Sequence, residues 1–240
     1  MQEDIYYMPG LELFGLGFLD SITSQYGYRV VTNNIGYFLG GAWYTVFITA
    51  ISLAIGMVLG LFAGLGKLTS NKFLYYLSTA YIDFFRGTPL FVQIFLLYFG
   101  VLPMIYDNDP VSSAIIALGL NSGAYIGEIV RAGIQAVDVG QMEAARSLGM
   151  NHRQAMTYVI LPQAFKIVIP PLINEFIALL KDSSLVSAIS VAELMHRGDL
   201  VFANNYQATW VFSAVAVIYF IITKTISVIG DHVERRLATD

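Results

Sequence analysis

The feature that most limits this chain is a set of long stretches with no charged residue. Residues 30–66, 87–106, 110–127 and 200–223 contain no Asp, Glu, Lys or Arg. An uncharged apolar stretch of about 18 residues or more is long enough to cross a bilayer as a helix. Lipid offers no hydrogen bonds to an exposed backbone, so only helices and closed barrels can span it. Several such runs in 240 residues predict a polytopic, all-α membrane protein. Composition agrees: 56% of the residues are hydrophobic and 12% charged, about half the charge of a soluble domain.

Five spans fit the pattern, at about 39–65, 73–102, 110–136, 162–180 and 208–233. Asp83, Arg86, Gly87 and Pro89 interrupt the second. Pro110 suits a first helical turn, where its missing N–H costs nothing. Pro162, Pro170 and Pro171 predict a kinked fourth span. Lys67 and Lys72, then Arg131, Arg146, Arg153 and Lys166, then Arg235 and Arg236 mark one side of the membrane. The other side offers Arg29 and Arg197 beside Asp107, Asp109 and the acidic Glu3, Asp4, Glu12 and Asp20. Lys and Arg in short loops favour the cytoplasm, which predicts an outer N-terminus and a cytoplasmic C-terminus. Residues 1–38 are then an extracytoplasmic segment and residues 39–240 the transmembrane domain. No positive region precedes an apolar one near Met1, so the N-terminus is expected in the mature protein rather than in a cleaved signal.

Catalysis finds little support. The chain has no cysteine, which removes disulfides, thiol chemistry and thiolate-bound metals. His152, His196 and His232 are scattered and belong to no HExxH or GxSxG pattern. Gly66-Lys67 is the nearest thing to a phosphate loop, but Leu61 stands where the first glycine belongs and Leu68 where Ser or Thr belongs. A dispersed net charge of −4 argues against a nucleic-acid partner. The chain is expected to hydrolyse nothing itself.

Residues 137–162 form the longest polar stretch on the cytoplasmic side. Gln141 to Leu148 reads as a short helix with Ala144, Ala145 and Leu148 on an apolar face. Gly149 ends it, as a residue that accepts positive φ. Asn151 with Gln154 three positions on is a capping-box start for a second short helix. The pattern is a compact helical knob.

Here the sequence resembles a known family. Glu143-Ala144-Ala145, three residues, Gly149, then Val159-Ile160-Leu161-Pro162 is similar to the EAA loop of ATP-binding cassette (ABC) importer permeases. Phe85-Arg86-Gly87-Thr88-Pro89-Leu90 resembles the FRGTPL signature of the polar amino-acid branch, the histidine, glutamine and arginine type. Residues 121–131 and 174–194 resemble the same branch. The resemblance implies a type I importer permease fold of five transmembrane helices in the bacterial inner membrane. It implies a dimer with itself or a sister permease, a separate ATPase that carries the ATP and Mg, an extracytoplasmic solute-binding protein, and a polar amino acid as cargo. Glu143, Ala144, Ala145 and Gly149 would couple to the ATPase. The alternatives are a permease for another small solute or a secondary transporter, although no inverted repeat of the latter kind is visible.

Ionisable groups inside a span are functional candidates. Arg86 stands thirteen residues into the second span, roughly 20 Å up at 1.5 Å per residue, with Asp83 one turn below as a possible partner. Asn121, Tyr125 and Glu128 share a face of the third span. Asn121 is the better ligand of these, and Glu128 a structural partner for Arg131. In the fourth span Glu175 and Asp182 lie seven apart, Lys181 neighbours Asp182, and Ser183-Ser184 break the helix. A zwitterionic solute needs a cation for its carboxylate, supplied by Arg86 or Lys181. Its ammonium needs Asp182, with Asn121 and Ser183 as neutral donors and acceptors. Embedded acids outnumber bases, which leans towards a cationic or neutral amino acid. The orientation has a direct check. A reporter fused after Asp240 should be active only as a cytoplasmic reporter and one near Asn108 only as an extracytoplasmic one. Reversed activities would overturn the assignment.

Overall fold

A computed structural model describes residues 25–105 and 109–238. Every regular element among them is helical. Helix α1 is Gln25–Gly66, α2 is Lys72–Gly87 and α3 is Leu90–Phe95, which continues through a π turn, Leu96–Val101, into a short 3-10 turn. Helix α4 is Pro110–Gln135. Two short helices, α5 (Val139–Ser147) and α6 (His152–Ala155), lead through the π turn Met156–Ile160 into α7, Leu161–Asp182. A 3-10 segment, Ser183–Ile189, precedes α8 (Leu194–Asn205) and the last helix, α9 (Ala208–Ala238).

Four stretches are long and apolar enough to cross a membrane, and a bent pair makes a fifth. Their positions match the sequence reading, with two differences. Helix α1 begins at Gln25 rather than near Leu39, and its 42 residues run about 63 Å, twice the hydrocarbon thickness of about 30 Å. The second expected span is no single helix: α2 and α3 meet at 108°. Residues 1–24, which include most of the segment expected outside the membrane, lie outside the described residues, as do Asp107 and Asn108.

Local chemistry explains the boundaries. Asp109 caps α4, its carboxylate accepting from the N–H groups of Val111 and Ser112 at 2.8 and 3.0 Å, with Pro110 at the position where no N–H is needed. Hydrogen bonds from Ser112 hold the Asp109 carboxyl below its ordinary range. Asn71 caps α2 in the same way. Helix α7 is continuous through Pro170 and Pro171.

The centre of the bundle is the contact of α1 with α4, and it is built from glycine. Gly56, Gly60 and Gly64 on α1 face Gly123 and Gly127 on α4, and Gly119, one turn earlier, abuts Ser52 and Ile55, each set at four-residue spacing. A Cβ at Gly60 would stand 2.8 Å from the Gly123 carbonyl oxygen, and one at Gly64 would stand 2.6 Å from that of Gly127. Only the missing side chains let the two backbones meet, the arrangement that small-residue repeats produce between membrane helices. Around this seam two apolar clusters form. One joins Ile48, Ala117, Leu118, Ile94 and Leu179; the other joins Phe38 and Ala42 of α1 to Leu194, Val201 and Val211. Gly60→Ala should force the helices apart and cost about 1–3 kcal/mol, seen as a lower melting temperature of the detergent-purified protein. Gly36→Ala, with nothing within 4 Å of its would-be Cβ, should be neutral. Equal melting temperatures for the two would remove the seam from the core.

Candidate functional site

The corner between α2 and α3 is where the chain departs furthest from simple helices, and its cause is Pro89. In a helix the carbonyl of Phe85 would accept from the N–H of residue 89, which proline lacks. The residue before it, Thr88, is extended (φ −122°, ψ 149°), as a residue preceding proline prefers. Carbonyls freed in this way are costly away from water, and side chains answer them. The Thr88 hydroxyl donates to the Phe84 carbonyl at 2.8 Å. The Gln93 amide nitrogen reaches the carbonyls of Phe85 and Thr88 and the Thr88 hydroxyl at 2.8, 3.0 and 2.8 Å. Asn121 completes the set from α4, donating to the Gln93 side-chain oxygen at 2.9 Å and to the Phe85 carbonyl at 3.2 Å. Both amides are buried. Asn121, expected to face the solute, is thus occupied with holding the corner against α4.

Arg86 lies beside this latch. Its guanidinium is 4.0 Å from Glu128 and sits over the Tyr125 ring, 5.4 Å from the centroid. Glu128 in turn is 3.4 Å from Lys67, which directly follows α1. Through Glu128, Arg86 therefore joins the cluster of charges at the end of α1. Asp83 approaches Lys67 at 4.0 Å instead of Arg86. Arg131 grips Glu128 with two nitrogens, the pairing expected from their spacing. Arg86, Tyr125, Glu128, Ala132, Ile167 and Pro171 line a cavity of about 360 Å³ between α2, α4 and α7.

The remaining candidates are elsewhere. Lys181 lines a separate cavity of about 440 Å³ with Ser184, Met195, Phe212 and Tyr219. Asp182 is exposed beside it. Ser183 is fully buried and donates to the Leu180 carbonyl at 2.7 Å. The structure therefore brings Lys181, Asp182 and Ser183 together at the end of α7 and sets Arg86 and Asn121 apart from them.

Sequence reasoning missed Glu193. Its side chain is completely buried and accepts from the N–H groups of Met195 and His196, the Tyr219 hydroxyl and the Thr45 hydroxyl, at 2.9, 2.8, 2.7 and 3.3 Å. It caps α8 and joins it to α1 and α9. The signal was present: Glu193 is the sole charge between Asp182 and Arg197, and a lone acid in an apolar stretch is a functional candidate.

The knob is as its sequence specified. Gly149 has φ +86°. The N–H of Met150 reaches the Ala145 carbonyl at 3.2 Å and that of Gly149 reaches the Arg146 carbonyl at 3.1 Å, a Schellman closure. Asn151 and Gln154 exchange both capping-box bonds. One detail differs. Ala145 is buried, while Ala144, Leu148 and Glu143 face outward, and the same helix sets Met142 against the base formed by Val137, Ile160 and Ala164.

Residues 56–239 match the family described as binding-protein-dependent transport system inner membrane component. The chain is similar to the L-cystine transport system permease protein TcyB of Bacillus subtilis (strain 168), 42% identical over 199 residues, 82% of this chain and 85% of that protein. It is also similar to the glutamine transport system permease protein GlnP of Escherichia coli (strain K12), 38% identical over 216 residues, 89% of this chain and 98% of that one. Among solved structures it resembles a crystal structure of an amino acid ABC transporter with histidines. That likeness has a TM-score of 0.82 and 42% identity, covering 86% of this chain and 96% of the other. The inward-facing MetNI methionine ABC transporter follows with a TM-score of 0.73 and 25% identity, over 85% and 97%.

The latch orders two substitutions. Gln93→Leu takes the donor from the Thr88 carbonyl and leaves the Phe85 carbonyl only the longer bond from Asn121, a loss of about 1–3 kcal/mol. Asn121→Ala leaves Gln93 on the carbonyl and should cost less. Thermal unfolding in detergent should rank wild type, Asn121→Ala, Gln93→Leu in falling stability. The reverse order would mean that the amides do not hold the corner.

Proposed function

We propose a function from one premise: the chain belongs to the family of binding-protein-dependent transport system inner membrane components. It is the permease subunit of an ABC importer for an amino acid, a reading supported by relatives named for cystine, glutamine and arginine that share 36% to 42% of its residues. The observation that carries the mechanism is the knob. A subunit without a nucleotide site must receive force from a partner, and a short helix closed by Gly149 with its Glu143 and Leu148 side outward is a rigid piece for a partner to grip.

In this reading the membrane is the bacterial inner membrane, with the N-terminus outside. A separate ATPase, holding ATP and Mg, seats the knob through Glu143, Ala144, Ala145 and Gly149. A solute-binding protein delivers the amino acid from the outer side, and a second permease, identical or sister, completes the pathway. Movement of the knob passes along α7, which follows it without a loop, to Lys181, Asp182 and Ser183. There the ammonium of Lys181 suits the solute carboxylate and Asp182 the solute ammonium, since either charge left unpaired in a dry passage is costly.

Coupling is testable at the bend. Gly149→Val puts a β-branched residue at positive φ, a strain of about 1–3 kcal/mol, and should deform the knob while the spans still insert. Uptake into vesicles by the reconstituted complex should fall by about tenfold or more, and loaded binding protein should no longer stimulate ATP hydrolysis. Uptake and stimulation at wild-type levels would take the knob out of the transmission path.

A further inference from the structure

We propose that Arg86, Tyr125 and Glu128 form a second amino-acid site, on the inner side of the permease, which takes the carboxylate of a solute that has already crossed. The inference rests on the importer reading but concerns a cavity apart from the one lined by Lys181.

Three observations carry it. The first is that Arg86 holds an unfilled bonding position. Glu128 is committed to Arg131 by close hydrogen bonds and to Lys67 at 3.4 Å. Arg86 reaches it only at 4.0 Å, well beyond the roughly 2.7–2.9 Å of a charge-assisted hydrogen bond. Its other described contact is the face of the Tyr125 ring. A guanidinium fork matches a carboxylate through two parallel bonds, and this fork, 40% exposed, has none.

The second observation is charge. The cluster holds three cations, Lys67, Arg86 and Arg131, against two carboxylates, Asp83 and Glu128. One further carboxylate brings it to balance. The cavity beside Arg86, about 360 Å³, lies within the range of small-molecule sites of about 300–1,000 Å³. Its apolar walls from Ile129, Ala132, Ile167 and Pro171 leave the charged end as the anchor. The Tyr125 ring backs the guanidinium with its face and Glu128 stands 4.0 Å from it, so both hold Arg86 towards the cavity they also line.

The third is position. Ala132, Gly133 and Ala136, the last turn of α4 before the knob, line the same cavity. The site therefore opens on the knob's side, where a solute leaves. Occupied Arg86 would pin the end of α2, with its Pro89 corner, to α4 and α7. Solute accumulated inside should consequently slow further import.

The test encloses ATP and increasing unlabelled amino acid in vesicles bearing the complete importer, with labelled amino acid and the binding protein outside. Initial uptake is normalised to each protein's own rate with no enclosed amino acid. Wild-type uptake should fall and saturate as enclosed amino acid rises, whereas the enclosed amino-acid amide, which lacks the carboxylate, should not inhibit. Arg86→Gln should raise the half-inhibiting concentration about tenfold or more, the loss expected for a charge-assisted pair, and Arg86→Lys less. Equal inhibition by the acid and its amide would overturn the site without any variant. So would the absence of inhibition together with an uptake rate that follows the anionic lipid content, which would assign Arg86 to a lipid phosphate. A wild-type complex that takes up no amino acid from any binding protein would instead overturn the importer reading.

Discussion

Everything in this permease is arranged around two backbones that touch. Gly60 and Gly64 meet the carbonyls of Gly123 and Gly127, and at those points no side chain holds α1 away from α4. In lipid the hydrophobic effect gives helices no reason to associate, so close packing has to supply it. The seam sets the axis of the molecule. The corner packs on α4 through Asn121, and α8 packs on α1 through Thr45 and Glu193. Each attachment supposes the seam at its back.

The second theme is the satisfaction of stranded polar groups. Pro89 creates one vacancy, at the Phe85 carbonyl, and Gln93 and Asn121 fill it. The start of α8 creates others, and Glu193 fills those. In both places a side chain that answers a local backbone defect also reaches a second helix, so the repair of secondary structure and the assembly of tertiary structure are one event. Irregular backbone at membrane depth is tolerated only where it faces protein or a watery cavity, and both breaks comply.

Much of this was legible in the residues. The first, third and fifth spans followed from uncharged runs, the start of α4 from Pro110, and the knob from Gly149 with Asn151 and Gln154, because each of those signals is local in sequence. Arg86 and Asp83 looked like partners because they lie one turn apart, but the carboxylate Arg86 approaches is Glu128 on α4 and Asp83 turns to Lys67, contacts that no local pattern encodes. Asn121 looked free for a solute because its partner, Gln93, is 28 residues away. The glycine repeats could have been found, since both recur at four-residue spacing. Their mutual register is a property of two segments and not of either alone.

The run from the knob into α7 has a mechanical meaning of its own. From His152 to Lys181 the backbone stays helical through a single π turn, a rod of about 40 Å at 1.5 Å per residue. Such a rod acts as a lever: a 5° tilt at the knob sweeps its far end sideways by about 3–4 Å over that length. A tilt of a few degrees at the knob thus becomes, at Lys181 and Asp182, a shift the size of a hydrogen bond, enough to make or break a contact between charged groups.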